Sequence, residues 1–385
     1  MRTMLFLANR FPQPRVFKWL KLFQAHGWKV VLFVCSLDSG NKTWEYDGEI
    51  YEFGSGNRMD MFPFSSKRYG KIREIIREKQ MSPTLVFVRD IFQFFVAAKI
   101  AKTYEIPVVL DIADNYPEVM RQILPSWQGR LVSKVFDAIE KRAVRKADRI
   151  VTVTKISADL IMRKHGVGQE KVLTVRNVPS FSTIRINTHD ADISDKSGDM
   201  VYIGTYSEKI RDLETVISAI PIIRKQFRDV HLHVFTFNVE KVKKLASRIL
   251  GSEYHQYVDV SPPVKNAELY RRLQLFKIGL IPHCRGPGTD YTEPNKLYDY
   301  IHSRLPVLAS DNPTLVESVA RYKVGETYRS GDVDSFVEAY AKLRKNHSKY
   351  VTRCKEVCDE FVWEKESEPL MVLLNRNYIG KETVG

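Results

Sequence analysis

The segment Glu293-Pro294-Asn295-Lys296-Leu297-Tyr298-Asp299-Tyr300, followed by Pro306-Val307-Leu308-Ala309-Ser310-Asp311, sets a proline, a lysine and a carboxylate where they can act on one ligand. A proline at the first position of a helix leaves backbone N–H groups free ahead of a positive dipole end, and Lys296 lies one turn from Asp299 on the same face. The result is an anion site with an acid behind it. Such a pair suits a nucleotide sugar, whose diphosphate is held by amides and a cation and whose ribose or sugar hydroxyls are held by an acid. The same residues would also make an ordinary helix with Lys296 and Asp299 as a solvated pair of small worth. Only the setting in the fold separates the two readings.

That setting is an alternation of strand and helix patterns. Thr3 to Ala8, Lys29 to Cys35, Leu85 to Val88, Val108 to Asp111, Arg149 to Val153 and Val172 to Val175 read as strands; helices start at Arg15, run from Ile91 to Lys102, and end at His165 before Gly166. From Pro179 to Asp199 Ser, Thr, Asp and Asn dominate and the pattern lapses, which marks a linker. The alternation resumes with strands Met200–Ile203, Val230–Phe235, Tyr257–Val260, Ile278–Pro282 and Val307–Ser310, separated by helices that include Asp212 to Arg224, Asn266 to Leu275 and Pro294 to Ser303. Two doubly wound α/β domains are expected, residues 1–178 and 200–361, each with a parallel sheet covered on both faces.

In open parallel sheets ligands bind beyond the carboxyl ends of strands. The opening motif follows the strand ending at Pro282, beside His283. Gly204 follows another strand and opens a loop with Lys209 and Arg211 ahead of a helix, a second hand on the same diphosphate. In the first domain Arg15 starts a helix behind Pro12 and Pro14, Arg89-Asp90 ends a strand, and Asp111-Ile112-Ala113-Asp114-Asn115 ends the next. Carboxylates and amides there suit sugar hydroxyls, or cap the helices that follow.

Charge and composition narrow the classes further. The chain has 385 residues, 44% of them hydrophobic, and a formal net charge of +14. Residues 1–178 hold 30 Lys+Arg against 18 Asp+Glu, whereas residues 179–385 hold 30 against 28, so the excess is in the first half. It concentrates in Lys67 to Lys79 and Lys134 to Lys146, where Phe62, Phe64, Tyr69, Ile72, Ile75, Ile76, Trp127, Leu131, Val135 and Phe136 interleave. These read as amphipathic helices for an anionic membrane surface, or as helices whose apolar side faces the core. No apolar run is long enough to span a bilayer, and Met1 to Arg10 lacks a signal-peptide pattern, so a cytoplasmic protein, peripheral on the inner membrane face, is expected. Cys35, Cys284, Cys354 and Cys358 lack zinc or redox spacing. His231 and His233 share a strand face with no Cys or carboxylate at ligand spacing in the sequence, and no metal is expected there. Asp190-Ala191-Asp192 falls in the linker and Asp332-Val333-Asp334 reads as a helix N-cap rather than a metal motif. No nucleic-acid module, P-loop or serine-hydrolase motif is present.

The ordered set Phe11-Pro12-Gln13-Pro14-Arg15-Val16, Asp111 to Glu118, Ala147 to Val153, Asn177-Val178-Pro179, Tyr202-Ile203-Gly204 and Pro294-Asn295-Lys296-Leu297 through Ser310 resembles the retaining glycosyltransferases of family 4, over nearly the whole chain. The resemblance implies the GT-B fold, two Rossmann-like domains facing a cleft, with the segment after Phe361-Val362-Trp363, about residues 362–385, returning to the first domain. It implies transfer of a sugar from a nucleotide diphosphate sugar to a hydroxyl of a lipid-linked or polysaccharide acceptor, with retention and without cofactor or metal. The donor side would comprise Gly204, Lys209, Arg211, His283, Glu293, Asn295, Lys296, Leu297 and Asp299, the acceptor side Arg15, Arg89, Asp90, Asp114 and Asn115, and Lys296, Arg211 and Asp114 would carry the chemistry. The chain departs from the family pattern at Tyr291, where the first of two glutamates is usual and Glu293 stands near, at Thr205, in place of a basic residue, and at Ala113, where many members have His or Arg. A GT-B nucleotide-sugar epimerase and a non-catalytic nucleotide-sugar binder are the alternatives.

Overall fold

The structure, a computed structural model, describes residues 2–37, 46–54, 65–124, 126–185, 198–265 and 268–379. The chain forms two compact units: Met1–Pro117, Arg130–Asn177 and Glu366–Gly385 make the first, Glu118–Gly129 and Val178–Lys365 the second.

In the first unit β1 (Arg2–Phe11), β2 (Trp28–Leu37), β3 (Ile50–Glu52), β4 (Pro83–Arg89), β5 (Val108–Ile112), β6 (Arg149–Thr152) and β7 (Val172–Thr174) form one parallel sheet in the order β3-β2-β1-β4-β5-β6-β7. The strands are apolar without alternation, Met4 to Ala8 and Leu85 to Val88 being wholly buried, because both sheet faces are covered. Helix Pro14–Ala25 shows why: its Val16, Trp19, Leu20 and Phe23 recur at helical spacing and are all buried, and Trp19 and Phe23 pack against Phe87 of β4. The order of strands reverses between neighbours β1 and β4.

The second unit repeats the plan with β8 (Met200–Ile203), β9 (Leu232–Phe235), β10 (Val258–Ser261), β11 (Ile278–Ile281), β12 (Val307–Ser310) and β13 (Gly325–Tyr328), in the parallel order β10-β9-β8-β11-β12-β13. Here the reversal falls between β8 and β11. One face, with Tyr202, Val234, Leu280 and Leu308, packs against Val216, Ile220 and Phe336. On the other, Gly279 leaves room for Tyr300: a Cβ at position 279 would stand 2.5 Å from that ring.

Several elements differ from expectation. The helix expected from Pro294 begins at Lys296 and has 7 residues, because Asn295 is its N-cap and Pro294 lies outside it. The helix expected over 266–275 is Leu269–Leu273, with 266–267 outside the described residues. The linker holds a short helix, Phe181–Arg185, and residues 186–197, with Asp190 and Asp192, lie outside the described residues. Asp332 does cap a helix, its carboxylate accepting from Ser335 N at 2.9 Å. Edge strand β13 was not expected, since Gly325-Glu326-Thr327 carries no apolar run, and its glycine is required: a Cβ there would lie 1.8 Å from the Val307 carbonyl oxygen. The last helix, Trp363–Ile379, belongs to the first unit from Glu366 onward, where Leu370, Met371 and Leu374 are buried. Among the described residues no helix is long and apolar enough to cross a membrane.

Candidate functional site

The reversal point of the second sheet gathers a group of nitrogen atoms. The loops leaving β8 and β11 are zipped together: Arg211 and His283 form an antiparallel bridge, Asp212 N donates to Pro282 O at 2.8 Å and Cys284 N to Ile210 O at 3.0 Å. His283 is fixed further by its own N–H, which donates to Ser310 Oγ at 2.8 Å. Across the sheet edge Gly204, at φ +133°, adopts a conformation that disfavours any side chain, and a Cβ there would come within 3.0 Å of Lys296 Nζ. Lys296 Nζ stands over the Tyr202 ring, 4.2 Å from its centroid.

Lys296 Nζ, Arg211 Nε and both ring nitrogens of His283 are buried without any hydrogen-bond partner. Leaving such groups unpaired costs about 1–3 kcal/mol each, more when charged. Burial, and then the Arg211 charge, push the Lys296 pKa well below its ordinary range against the opposing pull of Asp299. Burial together with Arg211 and Lys296 pushes the His283 imidazole down as well, so that neutral ring offers one donor and one acceptor. Converging cationic and polar groups whose nitrogens lack hydrogen-bond partners could hold an external anion.

The surrounding residues depart from the sequence reading in instructive ways. The first-turn amides expected to be available are used internally: Leu297 N donates to Pro294 O, Tyr298 N and Asp299 N to Asn295 O. The unpartnered nitrogens at this point therefore belong to side chains rather than to a helix terminus, and Leu297 itself is a core residue. Asn295 is exposed and makes no side-chain cap. Asp299 accepts from Tyr270 Oη at 2.8 Å. Glu293 is a brace rather than an open acid, since its two carboxylate oxygens accept from Tyr298 Oη and Ser318 Oγ. The Lys209 ammonium donates to Ile123 O at 2.7 Å and the lysine lines a separate cavity of about 470 Å³ with Tyr206, Lys241 and Lys244. Tyr202 and Tyr300 were missed. Tyr300 Oη lies within reach of the Val201 and Leu280 carbonyls and accepts from Ile203 N, so it ties β8 to β11 under the site. A glycine inside β11 was the signal that a ring approaches there.

The first unit's strand ends carry a different arrangement. Asp111, wholly buried, accepts from Arg15 Nε and Nη2 at 2.9 and 2.7 Å and from Trp19 Nε1 at 3.0 Å, while Arg89 Nε, 3.5 Å away, makes an ion pair without a hydrogen bond. Burial would raise its pKa, but Arg15 and then Arg89 outweigh burial and hold the carboxyl below its ordinary range. Arg89 also pairs with Asp90, which sits at φ +70°, and lies 3.6 Å from Asp114. Arg15, Arg89 and Asp90 are only 4–6% exposed. They were expected to line an open acceptor face and are instead a neutralised network within the unit. Asp114 remains 53% exposed, and Asn115 Nδ2 is buried without a partner.

The two basic stretches also part company. Helix Ser66–Glu78 buries Ile72 and Ile76 and packs Tyr69 and Ile75 on the core, so its apolar side is structural; Phe62 and Phe64 lie outside the described residues. Helix Ser126–Lys146 instead exposes Trp127, Leu131 and Val135 by 65, 59 and 54%. Their spacing puts them on one face, with exposed Arg130, Lys134 and Arg142 beside them.

Comparison with known proteins agrees with this architecture. Residues 12–178 match the glycosyl transferase 4-like domain and residues 197–346 the glycosyl transferases group 1 domain. No curated protein matches the chain by sequence. Among solved structures, sucrose-phosphate synthase from Thermosynechococcus elongatus is 12% identical with a TM-score of 0.77, covering 99% of this chain and 100% of its own. HepE of Anabaena, solved in complex with UDP and glucose, is 12% identical with a TM-score of 0.72, covering 98% and 100%. A putative UDP-N-acetylglucosamine 2-epimerase from Listeria monocytogenes is also 12% identical, at 0.64, covering 98% and 97%. At these identities the solved structures speak to the fold alone. With two parallel-sheet units in tandem and both domain types matched in order, the chain belongs to the family 4-like glycosyltransferases of GT-B fold.

Proposed function

We propose that this glycosyltransferase takes its sugar from a nucleoside diphosphate sugar and delivers it, with retention, to a hydroxyl of a lipid-linked or polysaccharide acceptor. The observation that carries the donor assignment is the buried set of unpartnered nitrogens on Lys296, Arg211 and His283 at the strand reversal of the second sheet. As the sugar departs, negative charge builds on the diphosphate. Fixed cations there stabilise the transition state more than the ground state, and charge-assisted hydrogen bonds contribute about 1.5–3 kcal/mol each. In this reading Lys296 and Arg211 meet the phosphates and the neutral His283 donates one hydrogen bond. Asp299 orients ribose hydroxyls, and Gly204 lets the diphosphate approach the backbone. Side-chain cations supply the positive charge at the leaving group, so no metal is assigned to the step. Front-face attack asks no base of the protein, in keeping with Ala113. Asp114 and Asn115 are assigned to the acceptor.

Binding of UDP, the nucleotide bound by HepE, to this chain tests the donor site by calorimetry, and screening of nucleotide sugars with acceptor extracts tests the reaction. Release of nucleotide with a new glycosidic bond supports transfer; conversion of donor alone into an epimer supports the epimerase reading. The exposed Trp127, Leu131 and Val135 with adjacent cations support an acceptor that lies in an anionic membrane. At about 1 kcal/mol per basic residue near the surface, the cations give binding that falls steeply with ionic strength. Sedimentation with anionic and neutral vesicles checks it: equal binding to both, or none at low salt, removes the membrane claim and leaves the donor assignment standing.

A further inference from the structure

His231 and His233 were expected to be bystanders because no carboxylate accompanies them in sequence. The fold supplies one. β10 pairs with β9 in parallel, with Asp259 directly opposite His233. His231 is two residues before His233, so all three side chains leave the same face of the sheet at neighbouring positions. His231 Nε2 lies 3.1 Å from Asp259 Oδ2, His233 Nδ1 lies 3.5 Å from the same oxygen, and the three ligand-type atoms all fall within 4.8 Å of one another.

The two nitrogen-to-oxygen separations are close to what a metal ion imposes. Zinc bonds of about 2.0–2.1 Å to imidazole nitrogen and about 2.0–2.2 Å to carboxylate oxygen place tetrahedral ligands about 3.3–3.5 Å apart. Hydrogen bonding does not explain the cluster: His231 Nε2 is buried and has no hydrogen-bond partner although the carboxylate oxygen is within reach, so direction rather than distance fails. The ligand shell is held in place. The His231 and His233 rings pack at 5.0 Å, and Phe276 packs on His233 at 5.0 Å, while Asp259, 54% exposed, leaves a path from solvent. The Arg272 charge opposes a cation there, but that side chain is exposed and packs over Phe235 rather than against the ligand atoms.

We propose that His231 Nε2, His233 Nδ1 and Asp259 Oδ2 bind one divalent transition-metal ion of the zinc class. Two imidazoles and one carboxylate favour zinc, cobalt or nickel over magnesium or calcium, which prefer all-oxygen shells. The ion sits where β9 begins, away from the carboxyl ends of β8 and β11, and joins β9 to β10. Since β10 is an edge strand that, among the described residues, pairs with β9 alone, the ion acts as a clasp on that sheet edge and takes no part in transfer.

The test uses the full chain, freed of any histidine tag and stripped with chelator, titrated with cobalt(II). One equivalent should bind with visible d–d absorption, be displaced by zinc, and raise the melting temperature. His233→Ala and Asp259→Asn should each weaken cobalt binding by more than about tenfold and abolish the thermal shift. Both variants should melt like the stripped parent and bind UDP as it does. Absence of stoichiometric cobalt binding to the parent, or the same affinity and spectrum in the His231→Ala/His233→Ala double variant, would overturn the assignment. Loss of UDP affinity on chelation would overturn the clasp role. If instead the parent fails to bind UDP with or without metal, the donor reading fails while the cobalt result still decides this one.

Discussion

Two groups of buried cations, one in each unit, sit at comparable strand ends and mean opposite things. In the first unit Arg15 and Arg89 are buried with Asp111 and Asp90, and the charges cancel within the fold. In the second, Lys296 Nζ and Arg211 Nε are buried without a hydrogen-bond partner, beside an imidazole whose two nitrogens equally lack one. A neutralised cation holds architecture together; one without a hydrogen-bond partner is where the proposed ligand would bind. Burial alone does not tell them apart.

The sharpest contrast is in what mutation should do to stability. Asp111→Ala strips the acid from buried Arg15 and Arg89 and should destabilise the protein by about 3–5 kcal/mol, because uncompensated buried charge is left behind. Denaturant melts check this, and the folded fraction should bind nucleotide as before. Lys296→Met should act the other way. Removing a buried amine that lacks a hydrogen-bond partner should leave the melting temperature equal or higher, while UDP affinity falls about 10–150-fold, the equivalent of one charge-assisted hydrogen bond. A Lys296→Met protein as unstable as Asp111→Ala would erase the distinction.

The same contrast separates what could be read from sequence from what could not. Strands such as β1 and β4 were legible because burial on both faces leaves unbroken apolar runs, and the reversal points that locate ligand sites follow from their order. Lys296, Arg211 and His283 were picked out because each follows a strand end. The internal partners of Arg15 and Glu293 were not legible for one reason: position after a strand does not say which way a side chain turns, and those partners, Asp111 and Ser318, are 96 and 25 residues away. The Asp259 partner of His233 was hidden likewise, by strand register. Short edge strands β3 and β13 lack the apolar run that would mark them. Proline in Pro294-Asn295-Lys296 pointed to a helix start but not to its first residue, Lys296.

Smaller effects sharpen the comparison. Raising pH should distinguish the two regions without any mutation. The folded protein holds the Lys296 proton less tightly than the unfolded chain, so its contribution to nucleotide-free stability rises as pH climbs from the lowered folded value toward 10.5. Asp111 is also shifted down, but in the acid range: its contribution, present above the unfolded carboxylate value, is lost as acid titrates it. Melting curves of wild type, Lys296→Met and Asp111→Asn across pH should show each slope disappear with its own residue. The least disruptive change is Asp114→Ala: at 53% exposure, with its cation 3.6 Å away, stability should move by no more than about 0.5 kcal/mol. Transfer to acceptor should fall while UDP affinity stays within about twofold; equal losses in both would merge the acceptor and donor assignments.

The central claim is that the Lys296, Arg211 and His283 cluster is an anion site awaiting a diphosphate, and calorimetry of UDP binding in buffers of differing ionisation heat tests it most directly. An incoming diphosphate strengthens the hold on the lysine proton that burial and Arg211 weaken, so binding should take up protons where pH lies between the free and bound values and should weaken as pH rises above the bound value. That uptake should be absent in Lys296→Met. Tight UDP binding with no proton uptake, unchanged in affinity by Lys296→Met, would contradict the account.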